Sequence, residues 1–229
     1  MIALIDYKAG NLTSVKKALA TIGADVFVPD TPGDLADAAG IIVPGVGHFG
    51  ATRALDQPWI EAILARVGEG RPLFGICLGM QWLFEGSEEA PDLPGLGLLA
   101  GRCYRLDGTS HPAADGTHHA PATSSLAPGT SHLAPGTSHL AIKVPHVGWN
   151  SLDIQREGGL LDQVATGSQV YFTHSYVAPV NGDARAVTTH GSAFAAVVQR
   201  GHIGGVQFHP EKSGDVGLRI LRNFVELAG

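Results

Sequence analysis

The first part of the chain alternates short apolar runs with longer segments in which apolar residues recur every three or four positions. An apolar run at 2–6 precedes a helical pattern at 12–22, and further apolar runs follow at 26–28 and 40–43. Continuously apolar strands are typical of sheets that are buried on both faces. The pattern therefore predicts an α/β fold with a mostly parallel central sheet and helices on both faces.

Three later apolar runs end at side chains that can take part in chemistry, and a helical pattern at 216–227 closes the chain. In parallel α/β sheets, functional groups collect at the carboxyl ends of the strands. We therefore expect these three ends to approach one another. They are the end of 72–76 at Cys77, the end of 171–173 at His174, and the end of 205–208 at His209.

The length and composition of the chain fit one compact domain over 1–229. The 229 residues are 44% hydrophobic and 16% charged, which argues against global disorder. The net charge of -6 and the lack of a Lys/Arg cluster argue against nucleic-acid or anionic-membrane partners. No apolar run is long enough to span a bilayer, so we expect no membrane partner.

Cysteine usage and the N-terminal residues bear on the cellular compartment. The chain has 2 cysteines, Cys77 and Cys103, which does not indicate a disulfide framework. The apolar run at 2–6 is very short and has no basic leader, unlike a secretory signal peptide. We therefore expect a cytoplasmic protein in a reducing environment.

One segment, at about 108–141, differs in composition from the rest of the chain. It is rich in Gly, Pro, Ser, Thr, Ala and His, and the heptapeptide at 126–132 is repeated at 133–139. Such a sequence buries too little apolar surface to offset the entropy of ordering it. We predict a mobile surface insertion that interrupts the single domain.

The insertion carries several histidines, which raises the question of a metal site. Two of them lie in the repeated heptapeptide, so duplication alone accounts for their recurrence. Structural metal sites use tighter ligand spacing on ordered elements, so we favour a solvated repeat and predict no metal site. These histidines are His111, His118, His119, His132 and His139.

The sharpest chemical motif is Gly-Ile-Cys-Leu-Gly at 75–79, which follows a predicted strand and opens a predicted helix. The glycines permit a tight turn that pushes Cys77 out of the plane of the sheet. The amide of Leu78 then faces the same space and can stabilise an oxyanion. The beginning of a helix at this point also favours the thiolate form of the cysteine.

A buried structural cysteine is the alternative for Cys77, and the motif alone does not decide between the two. A nucleophile needs a base, and His209 stands at a strand end with Glu211 two residues later to orient it. Pro210 between them stiffens the backbone and fixes their spacing. This arrangement favours a triad of Cys77, His209 and Glu211.

His48 and His174 are rival candidates for the base. His48 follows a glycine-containing loop, and His174 lies at a strand end. Neither has a carboxylate two residues away, so we favour His209, which has an orienting partner. Cys103 has no comparable neighbours in the sequence, and we interpret it as structural.

These residues resemble those of the class I glutamine amidotransferases. The shared motifs are Gly-Ile-Cys-Leu-Gly-Met-Gln at 75–81 and His-Pro-Glu at 209–211. The resemblance covers 1–107 and 142–229. Within the family, four further segments resemble the glutaminase subunits of imidazole glycerol phosphate synthases. They are 6–12, 44–47, 174–176 and the particularly specific Pro-His-Val-Gly-Trp-Asn at 145–150.

The resemblance implies a single-domain, flavodoxin-like fold and hydrolysis of L-glutamine to glutamate and ammonia. Cys77 would attack the side-chain amide and form a glutamyl thioester. His209 would carry protons, and Glu211 would hold His209 in place. No metal or organic cofactor is implied. The ammonia would pass to a separate (β/α)₈-barrel cyclase subunit, with which the chain would form a heterodimer in histidine biosynthesis.

The resemblance also assigns residues around the reaction. The oxyanion would be met by the amide of Leu78 and by an amide in the loop that contains Gly45 and Val46. The substrate would contact Gln81, Glu89, His174, Ser175 and Tyr176. Positions that face the partner in the family correspond to Asn11, Trp149 and Lys212.

Two features depart from the family pattern: Lys8 occupies a place where the family usually has Gly, and the insertion is not a family feature. Three alternatives stay open. They are a class I glutaminase of another pathway, a non-catalytic subunit on the same fold, and a cysteine hydrolase of γ-glutamyl peptides. The segments at 44–47 and 145–150 and the intact triad argue against them.

Overall fold

A computed structural model describes residues 1–107 and 142–229. The predicted insertion at about 108–141, with the question of its five histidines, lies outside the described residues. The single-domain prediction for 1–229 therefore stays a prediction across that segment.

Fourteen strands are present in the described residues, and eight of them form the central sheet. In chain order the strands are β1 (Ile2–Leu4), β2 (Val26–Phe27), β3 (Gly40–Val43), β4 (Leu73–Ile76), β5 (Gly86–Ser87), β6 (Ala90–Pro94), β7 (Arg102–Arg105), β8 (His146–Ser151), β9 (Asp153–Ile154), β10 (Gln169–His174), β11 (Tyr176–Val177), β12 (Ala184–His190), β13 (Ser192–Arg200) and β14 (Ile203–Val206).

Four α-helices and four 3₁₀ turns accompany these strands in the described ranges. The α-helices are α1 (Leu12–Thr21), α2 (Gln57–Gly68), α3 (Leu78–Trp82) and α4 (Gly214–Leu227). The 3₁₀ turns are Pro32–Asp37, Phe49–Ala54, Gly159–Leu161 and Pro210–Lys212.

The central sheet has the strand order β2-β1-β3-β4-β14-β13-β12-β9. The first five strands in that order are parallel, and the pairings β14-β13, β13-β12 and β12-β9 are antiparallel. Strands β1, β3, β4 and β14 are buried along their whole length, as continuously apolar runs require. The predicted α/β fold with a mostly parallel central sheet is confirmed, with an antiparallel extension on one side.

The strand that ends at His174 does not belong to the central sheet, contrary to our expectation for a strand of this kind. β10 pairs with β8 in a separate two-stranded antiparallel sheet, in which His174 stands opposite His146. The apolar run at 171–173 could not show this, because strand type is set by a partner distant in sequence. A third sheet has the order β11-β7-β5-β6.

Capping and packing explain where the helices begin and which faces they bury. The side chain of Asn11 accepts a hydrogen bond from the Ser14 N–H at 3.4 Å, which caps the start of α1. The helix α4 buries Ile220, Leu221 and Phe224, and the Phe224 ring stacks on Phe74 of β4 at 5.0 Å. The closing helix is thus packed against strand β4 of the central sheet.

Lys8 adopts the left-handed conformation, with φ 63°. Glycine reaches this region at no steric cost, whereas a residue with a side chain is strained there. Here Asp6 offsets the strain, because its carboxylate accepts the Lys8 backbone N–H at 3.0 Å and the Lys8 ammonium at 2.6 Å. The departure at Lys8 is therefore accommodated locally.

Among the residues described, no helix combines the length and apolar character that a bilayer crossing requires.

Gly79 is a point at which the fold tolerates no side chain. A Cβ atom at Gly79 would overlap the carbonyl oxygen of Val43 in β3, which is backbone and cannot move aside. We predict that Gly79→Ala lowers the free energy of unfolding by about 3 kcal/mol or more, as overpacked core positions do. Urea denaturation followed by circular dichroism measures this.

The control is Gly68→Ala at the end of α2, where a Cβ meets nothing within 4 Å. That change should alter stability by less than about 1 kcal/mol. Equal effects of the two substitutions would contradict the packing argument.

Candidate active site

Cys77 sits in a strained turn between β4 and α3. Its backbone has φ 52° and ψ -106°, a region that non-glycine residues avoid. The Cys77 N–H donates to the carbonyl of Val206 at 2.8 Å, which holds the turn against β14. A Cβ at Gly75 would clash with the backbone of Met80, so the chain can turn this tightly only with glycine there. The structure therefore has the turn predicted for a nucleophile.

His209 and Glu211 form a buried pair beside this turn. His209 Nδ1 and Glu211 Oε1 are 2.8 Å apart, and both side chains are almost fully buried. Pro210 begins the short 3₁₀ turn between them, as its fixed φ favours. This pairing leaves His209 Nε2 for a second partner, and in the described structure that atom makes no hydrogen bond.

The pKa of His209 reports what surrounds the ring. Burial alone lowers this pKa, but the interactions of the ring with Cys77 and with Glu211 outweigh burial and raise the pKa to about 9. Cys77 thus lies close enough to interact with the ring, although Nε2 is not aligned for a hydrogen bond of ordinary geometry. A protonated imidazole beside a cysteine favours the thiolate.

The residues predicted for an oxyanion hole lie together, but their donors are already occupied. The Leu78 N–H donates to the Gly45 carbonyl at 3.3 Å. The Val46 N–H donates to the Ala9 carbonyl at 2.5 Å. Neither amide is free to meet an oxyanion in this arrangement, to which we refer as the closed arrangement.

A cleft of about 320 Å³ opens beside Cys77. Glu89 lines it and is only partly exposed, and its carboxylate accepts the Phe49 N–H at 2.7 Å. The cleft is also lined by all five predicted substrate residues together with Gly47, Leu78, Pro145 and Thr173. Glu89 therefore belongs to the wall of the cleft.

The two rival bases have other partners. His48 is exposed, and its Nδ1 accepts the Gly50 N–H at 2.9 Å. His174 is buried, and its Nε2 lies 3.2 Å from Nδ1 of His146. Burial and the neighbouring His146 lower the pKa of His174 to about 3. His174 is thus neutral at pH 7 and is not paired with a carboxylate.

Sequence reasoning gave His146 no role of its own, although the residue lies in the segment 145–150 that carries part of the resemblance. Its ring stacks on Phe172 and His190, and its Nε2 lies 3.3 Å from the Asn150 side-chain nitrogen. Burial, and then the charge of His190, lower the pKa of His146 to about 4. The segment therefore supports the wall of the cleft from behind.

Gln207 is the second residue that sequence reasoning missed. It is 0% exposed, and its Nε2 donates to the sulfur of Cys77 at 3.6 Å. Its Oε1 accepts a hydrogen bond from Gln81 at 3.1 Å. The sequence did offer one indication. Gln207 lies two positions before His209, and residues two apart in an extended chain lie on the same face.

Two of the three predicted partner residues, Trp149 and Lys212, are exposed and lie beside the ring of Tyr171. Trp149 is 57% exposed, and its ring packs edge-on against Tyr171 at 6.0 Å. The Lys212 ammonium lies 5.8 Å from the same tyrosine ring. Asn11, by contrast, is engaged as the cap of α1. We refer to Val147, Trp149, Tyr171 and Lys212 as the tryptophan patch.

Cys103 is fully buried, and its sulfur lies 3.8 Å from the Gln81 carbonyl. Burial raises its pKa well above the usual range. It therefore fits the structural role predicted for it. In the two described ranges, no group of three or more His, Cys, Asp or Glu side chains is arranged to hold a metal ion.

Comparison with known proteins identifies a family match along nearly the whole chain. The sequence profile of the family described as "Glutamine amidotransferase class-I" matches residues 3–227. The imidazole glycerol phosphate synthase subunit HisH of Halobacterium salinarum is 42% identical, over 98% of this chain and 92% of the relative. The HisH subunit of Moorella thermoacetica is 43% identical, over 99% and 94%.

Solved structures agree on the fold. A crystal structure of a glutamine amidotransferase aligns with TM-score 0.67 at 20% identity, covering 100% of both chains. PurLQS from Thermotoga maritima aligns with TM-score 0.66 at 17% identity, covering 98% of this chain and 97% of the other. At these identities the likeness shows the fold alone.

The buried pair predicts a pH-dependent contribution to stability. A pKa raised from 6.5 to about 9 in the folded state stabilises the protein fully below about pH 6.5, and this stabilisation is lost as pH rises through 9. We predict that Glu211→Gln lowers the pKa of His209. It should also destabilise the protein by on the order of 1–2 kcal/mol more at pH 6 than at pH 10.

An NMR titration of His209, with urea denaturation at both pH values, measures this effect. The exposed Glu226→Gln serves as the control. A Glu211→Gln penalty that is the same at pH 6 and pH 10 would show that the pair is not an ionic one.

Proposed function

The chain belongs to the class I glutamine amidotransferase family, and from this membership we infer that it is the glutaminase subunit of an imidazole glycerol phosphate synthase. It is a glutamine-hydrolysing enzyme. The observation that carries this conclusion at the site is the buried His209–Glu211 pair beside the strained Cys77 turn. Relatives named as this subunit match almost the full length of the chain.

The first half of the proposed reaction forms a thioester. The Cys77 sulfur attacks the side-chain amide carbon of L-glutamine, and negative charge builds on the amide oxygen. The protonated His209 then gives a proton to the amide nitrogen, the C–N bond breaks, and ammonia leaves. The raised pKa of His209 supports this role, since the proton is present at neutral pH.

The second half hydrolyses the thioester. His209, now neutral, takes a proton from water, whose oxygen attacks the thioester carbon. The C–S bond breaks, which releases glutamate and returns the electron pair to the Cys77 sulfur. Glu211 holds His209 through Nδ1 in both halves, so that Nε2 faces the reacting atoms.

In the closed arrangement, the amides of Leu78 and Val46 are not available to an oxyanion, and the reaction would therefore be slow. Rotation of the peptide between Gly45 and Val46 would remove the carbonyl from the Leu78 N–H and turn the Val46 N–H toward the cleft. Loss of one oxyanion donor costs about 10²–10³ in rate. We propose that the chain alone rests in the slow, closed state, and that its partner shifts the population to the open one.

The walls of the cleft support roles in substrate binding. The Glu89 carboxylate suits the α-ammonium of glutamine, and the main chain at Ser175 and Tyr176 suits its α-carboxylate. The Nε2 of Gln81 is already used, because it donates to the Tyr176 carbonyl at 2.8 Å and to Gln207. We propose that Gln81 shapes the cleft through Tyr176, and that His174 does so beside it.

The partner is proposed to be a cyclase subunit, a (β/α)₈ barrel that receives the ammonia in a heterodimer. The tryptophan patch supports this proposal, since exposed aromatic residues beside a cation are typical of interface anchors. The names of the relatives, which are subunits of a synthase, support a partner of this kind. They also favour this assignment over a glutaminase of another pathway.

We predict that the chain alone has low glutaminase activity and that the cyclase subunit with its nucleotide ligand raises it at least about a hundredfold, the effect of one oxyanion donor. Coupled detection of glutamate measures both rates. Cys77→Ala should abolish activity, whereas Cys103→Ser should retain it. High activity without the partner would contradict the closed arrangement as the resting state.

We also predict that Trp149→Ala weakens the complex with the cyclase at least about thirtyfold, as loss of an interface anchor of roughly 2 kcal/mol does. Isothermal titration calorimetry gives the Kd. The control is Leu64→Ala, an exposed apolar residue on α2 outside the tryptophan patch. Similar Kd values for the two variants would place the interface elsewhere.

A further inference from the structure

We propose that Gln207 is a further catalytic residue, whose side-chain amide donates a hydrogen bond to the Cys77 sulfur and stabilises it whenever it carries negative charge. This inference rests on the proposed function, because it assumes that Cys77 is the nucleophile. It gives the sulfur a hydrogen-bond donor that is separate from the imidazole of His209, whose Nε2 makes no hydrogen bond in the described structure.

The sheet places the two residues opposite each other. In the parallel pairing of β4 with β14, Ile76 stands opposite Val206. The next residue of each strand is therefore brought to the same edge, which puts Cys77 beside Gln207. The amide of Gln207 is 0% exposed, and its Nε2 lies 3.6 Å from the sulfur, within the range for a hydrogen bond to sulfur.

A chain of hydrogen bonds fixes which end of the amide faces the sulfur. Gln81 Nε2 donates to the Tyr176 carbonyl at 2.8 Å and to Gln207 Oε1 at 3.1 Å. The Tyr176 carbonyl can only accept, so Gln81 must present its NH₂ group. Gln207 must then present its oxygen to Gln81 and its NH₂ to Cys77. A donor, and not an acceptor, therefore faces the sulfur.

The burial of this amide gives it a constant role through the reaction. A hydrogen bond to an ionised group is about twice as strong as one between neutral groups, so the amide favours thiolate over thiol. Unlike His209, it does not titrate and transfers no proton. It therefore still faces the sulfur after His209 has given its proton to the leaving amide nitrogen, and when hydrolysis returns the electron pair to sulfur.

The same bonds connect the nucleophile to the substrate wall. The Tyr176 carbonyl that orients Gln81 belongs to a segment that lines the cleft. A merely structural amide in this position would hold that segment without affecting the sulfur. The two roles are distinguished by measuring the reactivity of the thiol itself.

The test is the rate of Cys77 alkylation by iodoacetamide as a function of pH, with the chain alone and no glutamine. Peptide mass spectrometry locates the label, because Cys103 is a second thiol. Gln207→Glu keeps the size and the acceptor but places a carboxylate oxygen at the sulfur, and Gln207→Leu removes the donor. We expect alkylation at pH 7 to fall about tenfold or more in Gln207→Leu and further in Gln207→Glu.

The midpoint of the alkylation profile should move to higher pH in the same order. Unchanged rates and midpoints in the folded variants would overturn the proposal and leave Gln207 with a structural role. If the variants fail to fold, NMR of the isotope-labelled Gln207 side-chain amide in the wild-type chain tests the proposal instead. Its proton signals should shift on alkylation of Cys77, and the absence of a shift would overturn the proposal.

A kinetic measurement in the complex with the cyclase separates this inference from the proposed function. There, Gln207→Leu should lower kcat for glutamine while changing KM less than about threefold, as expected for a group that acts on the sulfur. Absence of glutaminase activity in the wild-type complex would count against the proposed function alone. The alkylation profiles would still decide the role of Gln207.

Discussion

The parallel pairing of β4 with β14 is the constraint on which the site depends. It brings Cys77, from the middle of the chain, to the same edge as Gln207 and His209, which follow more than a hundred residues later. Because both strands are buried along their length, their register cannot slip without exposing apolar side chains. The distance between nucleophile and base is therefore set by the core, while the chemistry happens at its edge.

The core holds the nucleophile and the base in place by different means. Cys77 keeps a positive φ because Val206 and the glycines on either side leave the turn no alternative. The base is held differently, by the buried carboxylate of Glu211, and interactions with Cys77 and then with Glu211 raise its pKa to about 9. The loop at 44–47 is the part that we propose to rearrange: its peptide groups bond to Leu78 and Ala9, which occupies the donors proposed for the oxyanion. A rigid triad beside a loop that can rearrange suits an enzyme whose activity is governed by a partner.

Local patterns predicted the elements that are locally determined. The apolar runs and the 12–22 periodicity correspond to β1, β3, β4 and α1, and α4 closes the chain where its periodicity indicated. The motif at 75–79 also predicted its turn, because that turn depends on the glycines within the motif itself. The antiparallel extension of the sheet and the separate pair of β8 with β10 were not predictable, since they depend on partners distant in sequence.

The same division applies within the site. His209 and Glu211 are adjacent enough to be recognised as a pair from their order. The amide chain from Tyr176 through Gln81 to Gln207, and the ring stack at His146, join residues from separate elements and leave no periodic signal. The occupied donors of Leu78 and Val46 are a conformational state, which no motif encodes.

In the proposed reaction, Cys77 is converted for part of each cycle into a covalent glutamyl thioester. The most direct measurement is intact-protein and peptide mass spectrometry of the complex with the cyclase, quenched in acid during turnover of glutamine. We expect a glutamyl adduct on the peptide that contains Cys77 and no adduct in Cys77→Ser. Steady turnover with no adduct on that peptide, or with an adduct at Cys103 instead, would contradict the mechanism.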